Sequence, residues 1–239
     1  MKYLCLECSA GPASAAVFED GKLLSSAFCN VKVTHSQTLM PMVDSVLRQS
    51  LTSINEIDGI AVSAGPGSFT GIRIGISAVK GLAAARNIPC VPVSTLAAMV
   101  PGFRQINCIV CCVMDARCNQ VYNALFRIQD GEITRLCEDR ALMCDELAEE
   151  LSRFADDSPV IITGDGTDLF YRYVKEYTFV QPADECHRWQ SAIGVGFLAM
   201  SDSAQTKTCS AAELLPVYLR LPQAERELKK REEERKQNS

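Results

Sequence analysis

The sequence predicts an α/β fold built from two similar lobes, each a mixed sheet with helices. Three observations carry this reading. The chain has 239 residues, more than the roughly 100–150 of a usual single domain. Short apolar runs alternate with helix-period segments and glycine turns, which is an α/β pattern. The order of elements in the first half also returns in the second.

The first half opens as a meander. Tyr3–Cys8 and Ala15–Phe18 read as strands, Asp20-Gly21 as a hairpin turn, and Leu23–Val33 as a third strand. Thr38–Leu51 carries Leu39, Met42, Val43, Val46 and Leu47 at helical spacing. Ile57–Ser63 is an apolar strand that runs into Gly65-Pro66-Gly67-Ser68-Phe69-Thr70-Gly71, and Ile72–Arg86 continues as a helix. Cys90–Val93 closes the half as a strand.

The second half repeats the order. Ile109–Asp115, Val121–Arg127 and Ile133–Leu136 are strands, Asp145–Phe154 a helix, and Val160–Thr163 a strand ending in Gly164-Asp165-Gly166. An acid closes the first strand of each half (Glu7, Asp115), and a Phe precedes each Asp-Gly turn (Phe18, Phe126). The expected domains are therefore 1–104, 105–223 with a final helix packing back on the first lobe, and a charged tail over 224–239. Glu225–Lys236 holds six basic and five acidic residues with one leucine, so a solvated helix is expected there.

Composition excludes several classes. At 47% hydrophobic and 22% charged, the chain is not of disordered type. No run of 18 apolar residues suggests a membrane span. Glu7 falls too early for a signal peptide, so a cytoplasmic protein is expected. A net charge of −5 argues against this chain gripping nucleic acid alone.

Twelve cysteines include two C-x-x-C spacings, Cys5/Cys8 and Cys108/Cys111. Both fall in apolar runs that read as strands, where positions i and i+3 face opposite sides of the sheet. Such pairs cannot chelate one ion, so no metal site is expected. The thiols are read as small buried hydrophobes.

The segment from Gly65 to Gly71 joins strand to helix and is the most informative local feature. Ser68 or Thr70 is placed to cap the helix, and the glycines leave room for close approach. Gly65, Gly67, Ser68, Thr70 and Gly71 are thus candidate phosphate contacts at a helix N-terminus. The lysine of a Walker loop is absent. In the following helix Gly75, Ala78, Gly81 and Ala85 are small, beside a polar stripe of Arg73, Ser77 and Lys80. Small residues at this spacing admit a close helix neighbour, either the chain's own sheet or another subunit.

The string Ser63-Ala64-Gly65-Pro66-Gly67-Ser68-Phe69-Thr70-Gly71-Ile72-Arg73-Ile74-Gly75 resembles the signature of the TsaB family, bacterial subunits of tRNA threonylcarbamoyladenosine biosynthesis. Thr34-His35-Ser36, Asp115-Ala116-Arg117 with Tyr122, and Pro216-Val217-Tyr218-Leu219-Arg220 agree with it. The resemblance reaches to about Ala224 and implies a duplicated actin/sugar-kinase-like (ASKHA) fold. Glu7-Cys8-Ser9 stands where the family usually shows Asp-Thr-Ser.

The resemblance further implies a scaffold role beside the paralogue TsaD, which transfers threonylcarbamoyl to N6 of the adenosine next to the anticodon. That paralogue holds a metal through an H-x-x-x-H motif. Here the corresponding stretch, Val93–Met99, has no histidine, and the chain has only His35 and His187. No catalytic residue and no required cofactor is therefore expected, with any ATP or ADP at the complex boundary. TsaE is expected to join the assembly, tRNA to be contacted mainly through the complex, and the isolated chain to homodimerise. The expected partner face is Leu39, Met42, Val43, Val46, Arg73, Gly75, Ser77, Ala78 and Lys80.

Two other function classes compete. An independent nucleotide hydrolase or small-molecule kinase would use Glu7, Asp115, Asp165 and Asp168 around magnesium. A metalloprotease would need a two-histidine ligand spacing that the sequence lacks.

Overall fold

The computed structural model describes residues 1–154, 158–201 and 207–220. The charged tail expected over 224–239 lies outside the described residues. Along the first half run β1 (Lys2–Glu7), β2 (Ala13–Glu19), β3 (Lys22–Cys29), α1 (His35–Gln49), β4 (Gly59–Gly65), α2 (Phe69–Ala84), β5 (Cys90–Ser94) and α3 (Thr95–Ala98). The second half runs β6 (Cys108–Asp115), β7 (Gln120–Gln129), β8 (Glu132–Arg135), β9 (Arg140–Met143), α4 (Cys144–Leu151), β10 (Val160–Thr163), α5 (Thr167–Val174), β11 (Val180–Pro182) and α6 (Ala192–Ala199).

The two sheets share one topology. The first has the order β3-β2-β1-β4-β5, the second β8-β7-β6-β10-β11, with β9 also pairing β7. In both, the first three strands are an antiparallel meander and the last two join in parallel. The central strands are buried nearly throughout, as both faces of each sheet are covered. This is the duplicated α/β fold that the repeat predicts.

Each sheet has its own helices on one face. Leu39, Val43 and Val46 of α1 and Ile72, Ile76 and Val79 of α2 pack on Leu4, Leu6 and Val62 of the first sheet. Leu147 and Leu151 of α4 and Phe170 and Val174 of α5 do the same on the second. The opposite faces are covered by exchange. Leu96 of α3, with Met99, Val100 and Phe103, packs on Val110, Cys112 and Met114 of the second sheet. Ala192, Val195 and Ala199 of α6 pack on Cys5, Phe18 and Val91 of the first. The first sheet's last strand ends at Ser94 and the second sheet's first begins at Cys108, and each lobe's closing helix packs on the other lobe's sheet.

Residues 207–220 form a strap along the first lobe. Cys209 bridges to Cys90 at the free edge of β5, and Leu214 is fully buried in the first core. Lys80 Nζ donates to the Ala212 carbonyl at 3.2 Å, and Arg73 Nε to the Tyr218 hydroxyl at 2.7 Å. The Val217 amide donates to Ala64 at 2.7 Å, and Arg220 reaches across to the Ala116 carbonyl.

Several boundaries move from the sequence reading. The third strand ends at Cys29 rather than Val33, and α1 begins at His35 rather than Thr38. Helix α2 begins at Phe69, three residues before the expected Ile72, because Ser68 caps it by accepting from the Gly71 amide at 3.3 Å. Helix α4 stops at Leu151 and tightens into a 3₁₀ turn over Ser152–Phe154.

Candidate functional site

Between the lobes lies a cleft of about 380 Å³, lined by Ser9, Ala10, Gly67, Ser68, Phe69, Met114, Asp115, Arg117, Tyr122 and Asp165. Four chain segments meet there: the ends of β1 and β6, and the two glycine loops. A larger hollow of about 660 Å³ lies behind α3, beside Arg135 and Phe197. Its Arg135 is neutralised by Asp139 at 2.8 Å and no carboxylate among the described residues lines it, so the smaller interlobe cleft is the better candidate for chemistry.

Two of the four candidate carboxylates, Asp115 and Asp165, line the cleft, and Glu7 is buried near enough to act on Asp165. Glu7 is fully buried at the end of β1. It accepts from the Ser9 amide and hydroxyl, both at 2.6 Å, and from the Ser63 hydroxyl. Burial pushes its carboxyl up, against the pull of those donors and of His35. Asp115 accepts from the Arg117 amide at 2.7 Å and faces its guanidinium at 3.5 Å. Asp165 accepts from Gln190 Nε2 at 2.9 Å. Burial, helped by the charges of Asp115 and Glu7 and opposed by the Gln190 hydrogen bond, pushes Asp165 up to about 6. Asp168 stands apart, exposed and paired with Arg188 at 2.5 Å.

In the glycine loops, the side of these glycines where a Cβ would stand is filled by the chain's own backbone. A Cβ at residue 67 would lie 2.3 Å from the Ser9 carbonyl oxygen, and one at residue 71 only 2.1 Å from that of Cys8. The Ser68 amide donates to the same Ser9 carbonyl at 2.7 Å. Gly65 is filled likewise by Val217, its Cβ position 2.3 Å from that carbonyl oxygen. The second loop mirrors this: a Cβ at residue 164 would meet the Val113 carbonyl oxygen at 2.0 Å. The glycines at 65, 67 and 71 are thus required by close backbone packing within the chain itself, while Gly67 and Ser68 still line the cleft. Ser68 is exposed but spends its hydroxyl on the helix cap, and Thr70 is exposed on the first turn.

The expected partner face divides in two. Leu39, Met42, Val43, Val46 and Gly75 are buried within the first core. The apolar stripe of α1 covers the chain's own sheet, and the Cβ position of residue 75 lies 2.6 Å from Cys8 Sγ. These five are corrected from interface to core. Arg73 and Ser77 are exposed, and Ala78 and Lys80 half-buried, on the outer side of α2.

Neither histidine joins the cleft lining. His35 Nε2 donates to the Ala10 carbonyl at 2.8 Å, tying α1 to the loop after β1. His187 packs its ring 5.6 Å from that of Phe103. Each C-x-x-C pair splits between two cores, Cys5 from Cys8 and Cys108 from Cys111. Sequence reading missed Gln190 and the left-handed turn Arg117-Cys118-Asn119 (φ 67°, 56° and 55°), for which no glycine gave a signal.

Comparison with known proteins agrees with this architecture. The family model for TsaD, tRNA N6-adenosine threonylcarbamoyltransferase, matches residues 30–235. The tRNA threonylcarbamoyladenosine biosynthesis protein TsaB of Escherichia coli (strain K12) is 31% identical over 222 residues, 92% of this chain and 95% of that protein. Its counterpart in Bacillus subtilis (strain 168) is 28% identical over 229 residues, 94% and 96% of the two chains. The solved structure of YeaZ from Pseudomonas aeruginosa superposes with a TM-score of 0.76 at 29% identity, covering 91% of this chain and 99% of that one. With the duplicated topology and the glycine signature, these matches settle the relationship: the chain belongs to the TsaB family of tRNA threonylcarbamoyladenosine biosynthesis proteins.

Proposed function

We propose that the chain is the non-catalytic scaffold and activating subunit of the threonylcarbamoyl transfer reaction. In this reading it docks TsaD, which carries the group to N6 of the adenosine next to the anticodon. The observation that carries the reading is the filled glycine loop. With Cys8 and Ser9 backbone seated on Gly71 and Gly67, these glycines serve internal packing, which supports a structural role for the loop. A chain with only two histidines, neither of them lining the cleft, also lacks the ligand pair of the catalytic paralogue.

The docking face is the outer side of α2, with Arg73, Ser77, Ala78 and Lys80, extended by exposed Met40 on α1 and Tyr218 on the strap. Small side chains there allow a close helix crossing. The same face pairs two copies when the partner is missing. TsaE joins the assembled pair, and any ATP or ADP belongs to the boundary between subunits. With a net charge of −5, this chain leaves most tRNA phosphate contacts to the rest of the complex. All of this takes place in the cytoplasm.

The test is reconstitution with purified TsaD, TsaE, tRNA and the threonylcarbamoyl donor. Modified adenosine should form only when the chain is present, and the chain alone should turn over no nucleotide. The placement of Asp115 and Asp165 on the cleft, with Glu7 buried nearby, favours the hydrolase reading as a rival. ATP turnover by the chain alone, abolished by Asp115→Asn, would establish that rival instead.

A further inference from the structure

Cys90 and Cys209 face each other directly. The amide of each donates to the carbonyl of the other, both at 2.8 Å, in an isolated antiparallel bridge. Residues that exchange both hydrogen bonds have Cα atoms about 5.5 Å apart and send their side chains to one face. Packing identifies that face. Cys90 lies in the first core with α1 and α2, while its neighbours Val91 and Val93 fill the opposite one. Cys209 and Ala211 pack against the same first core. A separation of about 5.5 Å falls inside the range of roughly 4.4–6.8 Å that disulfides span.

The surroundings differ usefully for the two thiols. Cys90 is fully buried and donates weakly to the Ile88 carbonyl at 3.7 Å. Cys209 is partly exposed on the strap. Burial pushes both thiols up, while the Lys80 ammonium pulls both down; Glu213 opposes it at Cys209. Lys80 is held in place by the Ala212 carbonyl, three residues beyond Cys209.

We propose that Cys90 and Cys209 are an oxidation site whose reversible disulfide staples the strap to the free edge of the first sheet. A small-molecule disulfide such as oxidised glutathione is the oxidant. Cys209, the accessible thiol, loses its proton and attacks one sulfur of that disulfide, whose S–S bond breaks and releases one small thiolate. Cys90 then loses its proton and attacks the Cys209 sulfur of the mixed disulfide, expelling the second small thiolate. Two protein thiols are oxidised, one small disulfide is reduced to two thiols, and the two protons pass to those thiolates.

The experiment uses the full chain. The protein is incubated with oxidised glutathione, remaining thiols are alkylated, and the sample is cut with trypsin without reduction. Residues 87–104 and 208–220 are tryptic peptides with one cysteine each, and they should be recovered joined and about 2 Da lighter than their sum. Reduction should separate them, and Cys209→Ser should abolish the joined species while Cys90 stays reduced. Amide exchange at Val217 should slow several-fold in the oxidised protein and not in Cys209→Ser. Capture of Cys209 as a glutathione adduct only would overturn the proposal. So would reaction confined to the exposed Cys118 and Cys186, or an unchanged Val217 exchange rate in the joined protein.

Discussion

Gly194 of α6 meets Ala98 of α3 at the point where the two exchanged helices cross: a Cβ at residue 194 would lie 1.8 Å from the Ala98 carbonyl oxygen. No side chain can enter without separating the helices, and each helix caps the other lobe's sheet. Gly194→Ala should therefore destabilise the chain by about 1–3 kcal/mol or more. Urea unfolding should show a lower midpoint, and an unchanged midpoint would refute a tight crossing.

Two glycines of α2 make a matched pair. The Cβ position of Gly71 lies 2.1 Å from the Cys8 carbonyl oxygen, whereas that of Gly81 faces open space. Gly71→Ala should cost about 1–3 kcal/mol, a backbone clash that cannot relax locally. Gly81→Ala should instead stabilise the helix by roughly 0.5–1 kcal/mol. Thermal melts of the two variants should move in opposite directions.

Asp165 should give acid stability a slope of defined sign. Its folded carboxyl holds a proton up to about pH 6, whereas the unfolded one releases it near 3.8. Between those values the folded state binds more protons, so stability falls as pH rises and levels off above about 6. The loss is on the order of 2–3 kcal/mol. Asp165→Asn keeps an acceptor for Gln190 and should flatten that stretch of the profile. The check is a series of urea midpoints from pH 4 to 7 on both proteins.

Docking and folding separate on α2 and α1. Ser77 is exposed on the outer side of α2, whereas Val43 is buried in the first core. Ser77→Arg should leave the melting temperature within about a degree and weaken capture by TsaD at least tenfold. Val43→Glu should unfold the chain, since it buries an unpaired charge. Equal TsaD binding by folded Ser77→Arg would remove this face from the proposed interface.

Much of this fold was legible because its signals are local. Strand, turn and helix periods recur in the same order in both halves, and Glu7 and Asp115 mark equivalent strand ends. The split of Cys5 from Cys8 between cores follows from strand alternation alone. A final helix packing back on the first lobe was expected, but the bounds of α6 were not legible, since Ala192–Ala199 is apolar on nearly every side and shows no helical period. The stripe Leu39, Met42, Val43 and Val46 was legible as a face but not as to what covers it. An apolar stripe looks the same whether it meets a sheet of its own chain or another protein. The filling of Gly67 and Gly71 was hidden for a different reason. Their contacts come from Ser9 and Cys8, about sixty residues away in sequence, and no local pattern announces a neighbour that distant.

The exchange of closing helices has a consequence for synthesis of the chain. During translation the first sheet emerges early, yet the face bearing Cys5, Phe18 and Val91 waits for Ala192–Ala199. A nascent chain therefore carries one uncovered apolar sheet face until almost all of the described residues have left the ribosome. Exposed faces of this kind are where aggregation begins and chaperones bind. The two lobes were duplicated as units of sequence, but neither can be completed as a unit of folding.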